Sequence, residues 1–125
     1  MVLVTSNQLK QLLYISYIGR VRLADFPPGH EDLRTQLGGL SPGFTLLADF
    51  SRLGAMDLEC APELGRVMEL IGRSGVGLVV RVIPDPSKDI GMNILTVFHY
   101  PHHPRVVTCE SMAEAARTLA GLAGR

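Results

Sequence analysis

The sequence predicts an α/β domain, one mixed, mainly parallel sheet of four or five strands flanked by four helices. Short runs of β-branched and apolar residues recur along the chain, bounded by Gly and Pro. Between them the apolar spacing lengthens from two residues toward about 3.6, the change a crossover helix requires. The two kinds of segment then alternate four times, and right-handed crossovers onto a parallel sheet are the economical way to connect such a series.

The strands come first in the argument. Leu12-Leu13-Tyr14-Ile15-Ser16-Tyr17-Ile18 ends at Gly19, and Phe44 to Phe50 and Leu78 to Ile83 are similar near-continuous apolar runs. Strands covered on both faces read this way because neither side meets water. Arg105-Val106-Val107-Thr108-Cys109 is a shorter fourth strand, and Val2-Leu3-Val4-Thr5 adds an edge. Among the helices, Leu33, Leu37 and Leu40 share one stripe. The clearest helix opens at Pro62 and sets Leu64, Val67, Met68 and Ile71 on one face before Gly72 and Gly75. Ile90, Ile94, Val97 and Phe98 repeat in the same way until Pro101. Ser111 and Glu114 form a capping box ahead of Met112, Ala115, Ala116 and Leu119, so the last segment is helical as well.

Composition narrows the function classes. With 125 residues, 46% hydrophobic and 19% charged, the chain suits a single core spanning residues 1–125 and is too apolar for disorder. Twelve basic and twelve acidic residues give zero net charge, which excludes a general pull toward nucleic acid and removes one barrier to self-association. The two cysteines, Cys60 and Cys109, make no disulfide framework and fit a reduced, cytoplasmic setting. No apolar stretch approaches the roughly 18 residues a membrane span needs.

The segment order resembles the STAS fold, the SpoIIAA-like fold shared by anti-sigma-factor antagonists, stressosome subunits and anion-transporter tails, across roughly residues 2 to 120. The most specific part is Leu46-Leu47-Ala48-Asp49-Phe50-Ser51-Arg52-Leu53 followed by Gly54-Ala55-Met56-Asp57, which is similar to the family's strand, Asp-Leu-Ser turn and second Asp before the second helix. In the antagonists the resemblance implies a phosphorylated Ser or Thr after that Asp, where a phosphate would change local charge by about −2. Here the matching residue is Leu58, and Asp57-Leu58-Glu59-Cys60-Ala61-Pro62 carries no hydroxyl. The expected function is therefore a non-phosphorylatable STAS-like protein-interaction module in bacterial signalling or regulation, binding a protein partner or a second copy of itself as a homodimer. Asp57, Leu58, Glu59 and Cys60 form its partner- or ligand-facing loop. Leu58 has two readings, an apolar contact facing the partner or a plain core anchor. The alternative function is a carrier for a small apolar, lipid-like ligand, with a pocket near Met68, Met92 and Phe98; the same residues also read as core filling.

Other chemistry finds less support. His99, His102 and His103 lie within five positions, yet Pro101 and Pro104 hold an extended backbone and no carboxylate or paired Cys completes a set of metal ligands. They read as a solvated loop, and no cofactor is expected. Cys60 precedes a helix start, but Asp57 and Glu59 oppose thiolate formation and a small packed residue is the simpler reading. Asp25 to Asp32 reads as a turn feeding the first helix, with Glu31 and Asp32 complementing its dipole. Gly75-Val76-Gly77 precedes a strand where a phosphate loop would follow one, so it reads as a plain helix-to-strand turn. No acid, base and nucleophile set assembles, so a non-enzyme is expected, with the loops around 51–60 and 84–90 as the functional surface.

Overall fold

Residues 1–83 and 104–123 are described by the computed structural model. The strands are β1 (Val2–Asn7), β2 (Leu12–Tyr17), β3 (Gly19–Val21), β4 (Thr45–Asp49), β5 (Leu53–Met56), β6 (Leu78–Val82) and β7 (Arg105–Cys109). The helices are α1 (Phe26–Leu37), α2 (Ala61–Arg73) and α3 (Met112–Ala123). The expected helix over Ile90 to Phe98 lies outside the described residues, as does the 84–90 loop.

The main sheet has the order β1-β2-β4-β6-β7, with β1 antiparallel to β2 and every other pairing parallel. Each step from β2 to β4 to β6 moves the same way along the sheet, and right-handed crossovers then deposit their helices on one face. Accordingly α1 and α2 share a face with Leu13, Ile15, Leu46, Ala48 and Val79, burying Phe26, Leu33, Leu64, Met68 and Ile71. The strand period of two sends Leu47, Val80, Val82 and Cys109 to the opposite face, where Ala115 and Leu119 of α3 pack on them. Both faces of the central strands are thus apolar, which is why their sequences show little alternation.

Three local expectations need correction. Helix α1 begins at Phe26, with prolines in its first turn where a missing N–H costs nothing, so Glu31 and Asp32 sit in its interior and no acidic residue occupies the first turn. The stripe Leu33, Leu37, Leu40 outlasts the helix, which stops at Leu37; Leu40 lies in the following turn yet still packs on the core. In the C-terminal cap, Ser111 Oγ accepts the Glu114 amide at 3.1 Å, but the Glu114 carboxylate reaches back to the amide of Glu110.

The α2–β6 turn needs glycine for a steric reason. Gly75 has φ +92°, and a Cβ there would meet the Pro42 Cβ at 3.0 Å, so any side chain would be strained both in backbone and in packing. Leu46, 1% exposed at the centre of the larger core, tests the packing most directly. Leu46→Ala should lower unfolding free energy by about 3 kcal/mol. Urea titration should show this as a lower midpoint with an unchanged slope.

Candidate interaction surface at the carboxyl edge

A second sheet, unforeseen from sequence, builds this surface. Strands β3 and β5 pair in parallel, with Gly19 opposite Leu53, Arg20 opposite Ala55 and Val21 opposite Met56. Gly19 makes the departure from β2 through φ +66° while its amide donates to the Arg52 carbonyl at 2.9 Å. Both strands run past the carboxyl ends of the main sheet and each leads into a single 3-10 turn, Leu23–Asp25 after β3 and Leu58–Cys60 after β5. The first residue of each turn is a solvent-facing leucine, Leu23 at 41% and Leu58 at 72% exposure. That exposure removes the core-anchor reading of Leu58.

The predicted quartet splits by placement. Asp57 is half-buried and accepts from the Arg20 guanidinium, 3.1 Å from Nη2 and 3.3 Å from Nε, while its amide donates to the Val21 carbonyl. This ties the start of the second turn to β3. Glu59 is exposed beside Leu58. Cys60 does not face outward: it is fully buried, with Sγ 3.8 Å from the Val21 carbonyl oxygen. Burial pushes its thiol up from the ordinary value of 9.0, and the charges of Asp57 and Glu59 push the same way, as their sequence proximity predicts. In the first turn Asp25 accepts from the Arg22 amide at 2.9 Å, a bond that lowers its carboxyl from 3.8, with the N-terminal ammonium 3.5 Å away.

Beneath the ribbon, Asp49 is 2% exposed and fully engaged. Its Oδ2 accepts the Tyr14 hydroxyl at 2.9 Å and its Oδ1 accepts the Ser51 amide at 2.8 Å. The pair locks β2 to β4 and fixes the turn that launches β5. In the sequence Asp49 stands out only as part of a motif and Tyr14 carries no signal, because their meeting depends on the Ser16–Asp49 register. Arg20 is silent in the sequence because its meeting with Asp57 depends on the pairing of β3 with β5. Elsewhere, Met68 is a closely packed core residue at 3% exposure, whereas Met92 and Phe98 lie outside the described residues. His99, His102 and His103 also lie outside them; among the described residues no group of three or more His, Cys, Asp or Glu could hold a metal. His30 instead pairs with Glu63 at 2.8 Å between α1 and α2. No helix among the described residues is long and apolar enough to cross a membrane.

No family model matches the chain, and no curated protein matches it in sequence. Solved structures do. An uncharacterized protein of the DUF3478 family from Shewanella loihica PV-4, described as having a SpoIIAA-like fold, superposes with a TM-score of 0.68 at 17% identity, over 95% of this chain and 92% of that one. The fold is SpoIIAA-like. The anti-sigma factor antagonist SpoIIAA in its unphosphorylated form gives a TM-score of 0.60 at 19% identity, over 97% and 99% of the two chains. The phosphorylated form of the Bacillus cell fate determinant SpoIIAA gives 0.56 at 16%, over 94% and 99%. The SpoIIAA-like architecture therefore extends over nearly the whole chain, as the segment order and the Asp49 to Asp57 stretch imply.

Two measurements check this geometry. Tyr14 is raised above its ordinary value of 10.0, first by burial and then by its bond to Asp49, so the folded state holds that proton more tightly than the unfolded chain. Its contribution is complete below about pH 10 and is lost as pH rises through the higher folded value. Thermal melts from pH 7 upward should show an alkaline loss of stability that is smaller in Tyr14→Phe, a variant also less stable at neutral pH by about 1–3 kcal/mol because Asp49 loses a buried partner. In addition, Cys60 and Cys109, both buried and free, should resist a maleimide in the native state and react fully in urea.

Proposed function

We propose that the chain is a STAS-like protein-interaction module that binds its partner through the two leucine turns at the carboxyl edge, with no phosphorylation switch. The observation that carries this is Leu58, 72% exposed at the first position of a turn whose backbone is pinned by Asp57 and Arg20. A backbone already fixed in place loses little conformational freedom on binding, and such preorganisation converts contact area into affinity. Leu23 stands on the parallel turn and broadens the apolar contact, while Arg20 and Glu59 supply a polar rim. Position 58 is where the resemblance implies a phospho-acceptor, and a leucine there makes binding constitutive. The partner is a protein, a second copy of this chain included, and the role is non-catalytic; two buried free thiols suit a reduced cytoplasmic setting.

Leu58→Arg should leave the urea midpoint unchanged, because the side chain is outside the core, and weaken the complex by about 30-fold or more, as expected for a central contact residue. Pull-down from the source cell and light scattering of the purified protein read the two partner classes. Undiminished capture and unchanged self-association in Leu58→Arg would remove this surface from the interface.

A further inference from the structure

The opposite, amino edge of the sheet carries a separate feature. Five strands spaced about 4.8 Å apart span about 19 Å, whereas a helix is only about 10 Å wide. Two helices share the first face, but α3 alone packs on the second among the described residues, against β6 and β7. Among the described residues, the amino ends of β2 and β4 on that face border a half-open cleft of about 650 Å³, lined by Leu9, Lys10, Leu12, Thr45, Leu119 and the small side chains of Ala116 and Ala120. Its size is within the range of small-molecule sites, and its lining is apolar with a few polar groups, as such sites are.

The wall formed by the β1–β2 turn is built rigidly. Gln11 takes φ +49°, a strained value for a residue other than glycine, and four hydrogen bonds hold it there. Its amide and its side-chain Nε2 both donate to the Gln8 carbonyl, its Oε1 accepts the Ser41 amide at 2.7 Å, and its carbonyl accepts the Thr45 amide at 2.9 Å. Leu9, in the same turn, is 99% exposed. Beside it, among the described residues, Lys10 is the cleft's single charged group, exposed and in no ion pair.

We propose that this cleft binds a small amphiphilic carboxylate, its alkyl body against Leu9, Leu12 and Leu119 and its head group on the Lys10 ammonium, with the Thr45 hydroxyl in reach as a second donor. Charge complementarity chooses the ligand class: a cation at the rim of an apolar lining favours an anion over a neutral or cationic apolar molecule. The site is at the other end of the sheet from Leu58 and stands independently of the proposed partner surface.

Amide chemical-shift titrations with decanoate and with decanol test it. Decanoate should bind saturably with shifts centred on Leu9, Lys10, Thr45 and Leu119, about fivefold more tightly than decanol, the effect of one exposed ion pair. Lys10→Gln should erase that preference and leave decanol binding unchanged. Ala120→Phe, at an exposed position of α3, should fill the cleft and abolish both; Ala116→Leu serves the same end if the first variant melts early. Absence of saturable shifts, equal affinity for the two probes in the wild-type protein, or full binding in a folded cleft-filled variant would overturn the proposal. Leu58→Arg should bind decanoate as the wild type does, separating this site from the carboxyl-edge surface.

Discussion

Strand β4 is the constraint on which the rest depends. It takes its hydrogen bonds from β2 on one side and β6 on the other, so both of its edges are satisfied within the sheet. Leu46 and Ala48 project into the core under α1 and α2, and Leu47 projects into the smaller core on the far face. A one-residue slip of this strand would exchange the two sets and place the Asp49 carboxylate in the larger apolar core. The register is therefore specified by packing and by the cost of burying a charge away from its partners.

Asp49 shows how that register reaches the surface. At the end of β4 it holds the Tyr14 hydroxyl and the Ser51 amide, closing the bend at which the chain leaves the main sheet. The next bonds, from the Phe50 amide to the Val82 carbonyl and from the Leu53 amide to the Phe50 carbonyl, aim β5 alongside β3. Each strand of the parallel ribbon then leads into a 3-10 turn, and Arg20 at the first strand pairs with Asp57 at the start of the second turn. Each turn opens on a leucine that faces solvent, Leu23 after β3 and Leu58 after β5.

The two edges of the sheet differ in character for topological reasons. At the carboxyl edge the crossovers converge and β3 with β5 extends the structure outward. At the amino edge the β1–β2 turn and α3 border a half-open cleft among the described residues. Neither property depends on net charge, which is zero over the chain.

Much of the architecture was legible in the residues themselves. Apolar runs bounded by Gly and Pro located β2, β4 and β6; the spacing of Leu64, Val67, Met68 and Ile71 located α2; and the order of these elements implied the mainly parallel sheet. These are local signals, set by backbone sterics and by which side chains avoid water, so they survive without knowledge of contacts. The motif from Asp49 to Asp57 likewise marked the carboxyl edge. Tertiary structure decided the remainder: the pairing of β3 with β5, whose three- and four-residue strands carry too little periodicity to read; the outward direction of Leu58 and the inward direction of Cys60, two residues apart; and the meetings of Tyr14 with Asp49 and Arg20 with Asp57, which are 35 and 37 positions apart. Each of these depends on register and chain direction across the sheet, and a distance between strands is a property of the packed whole that no single segment encodes.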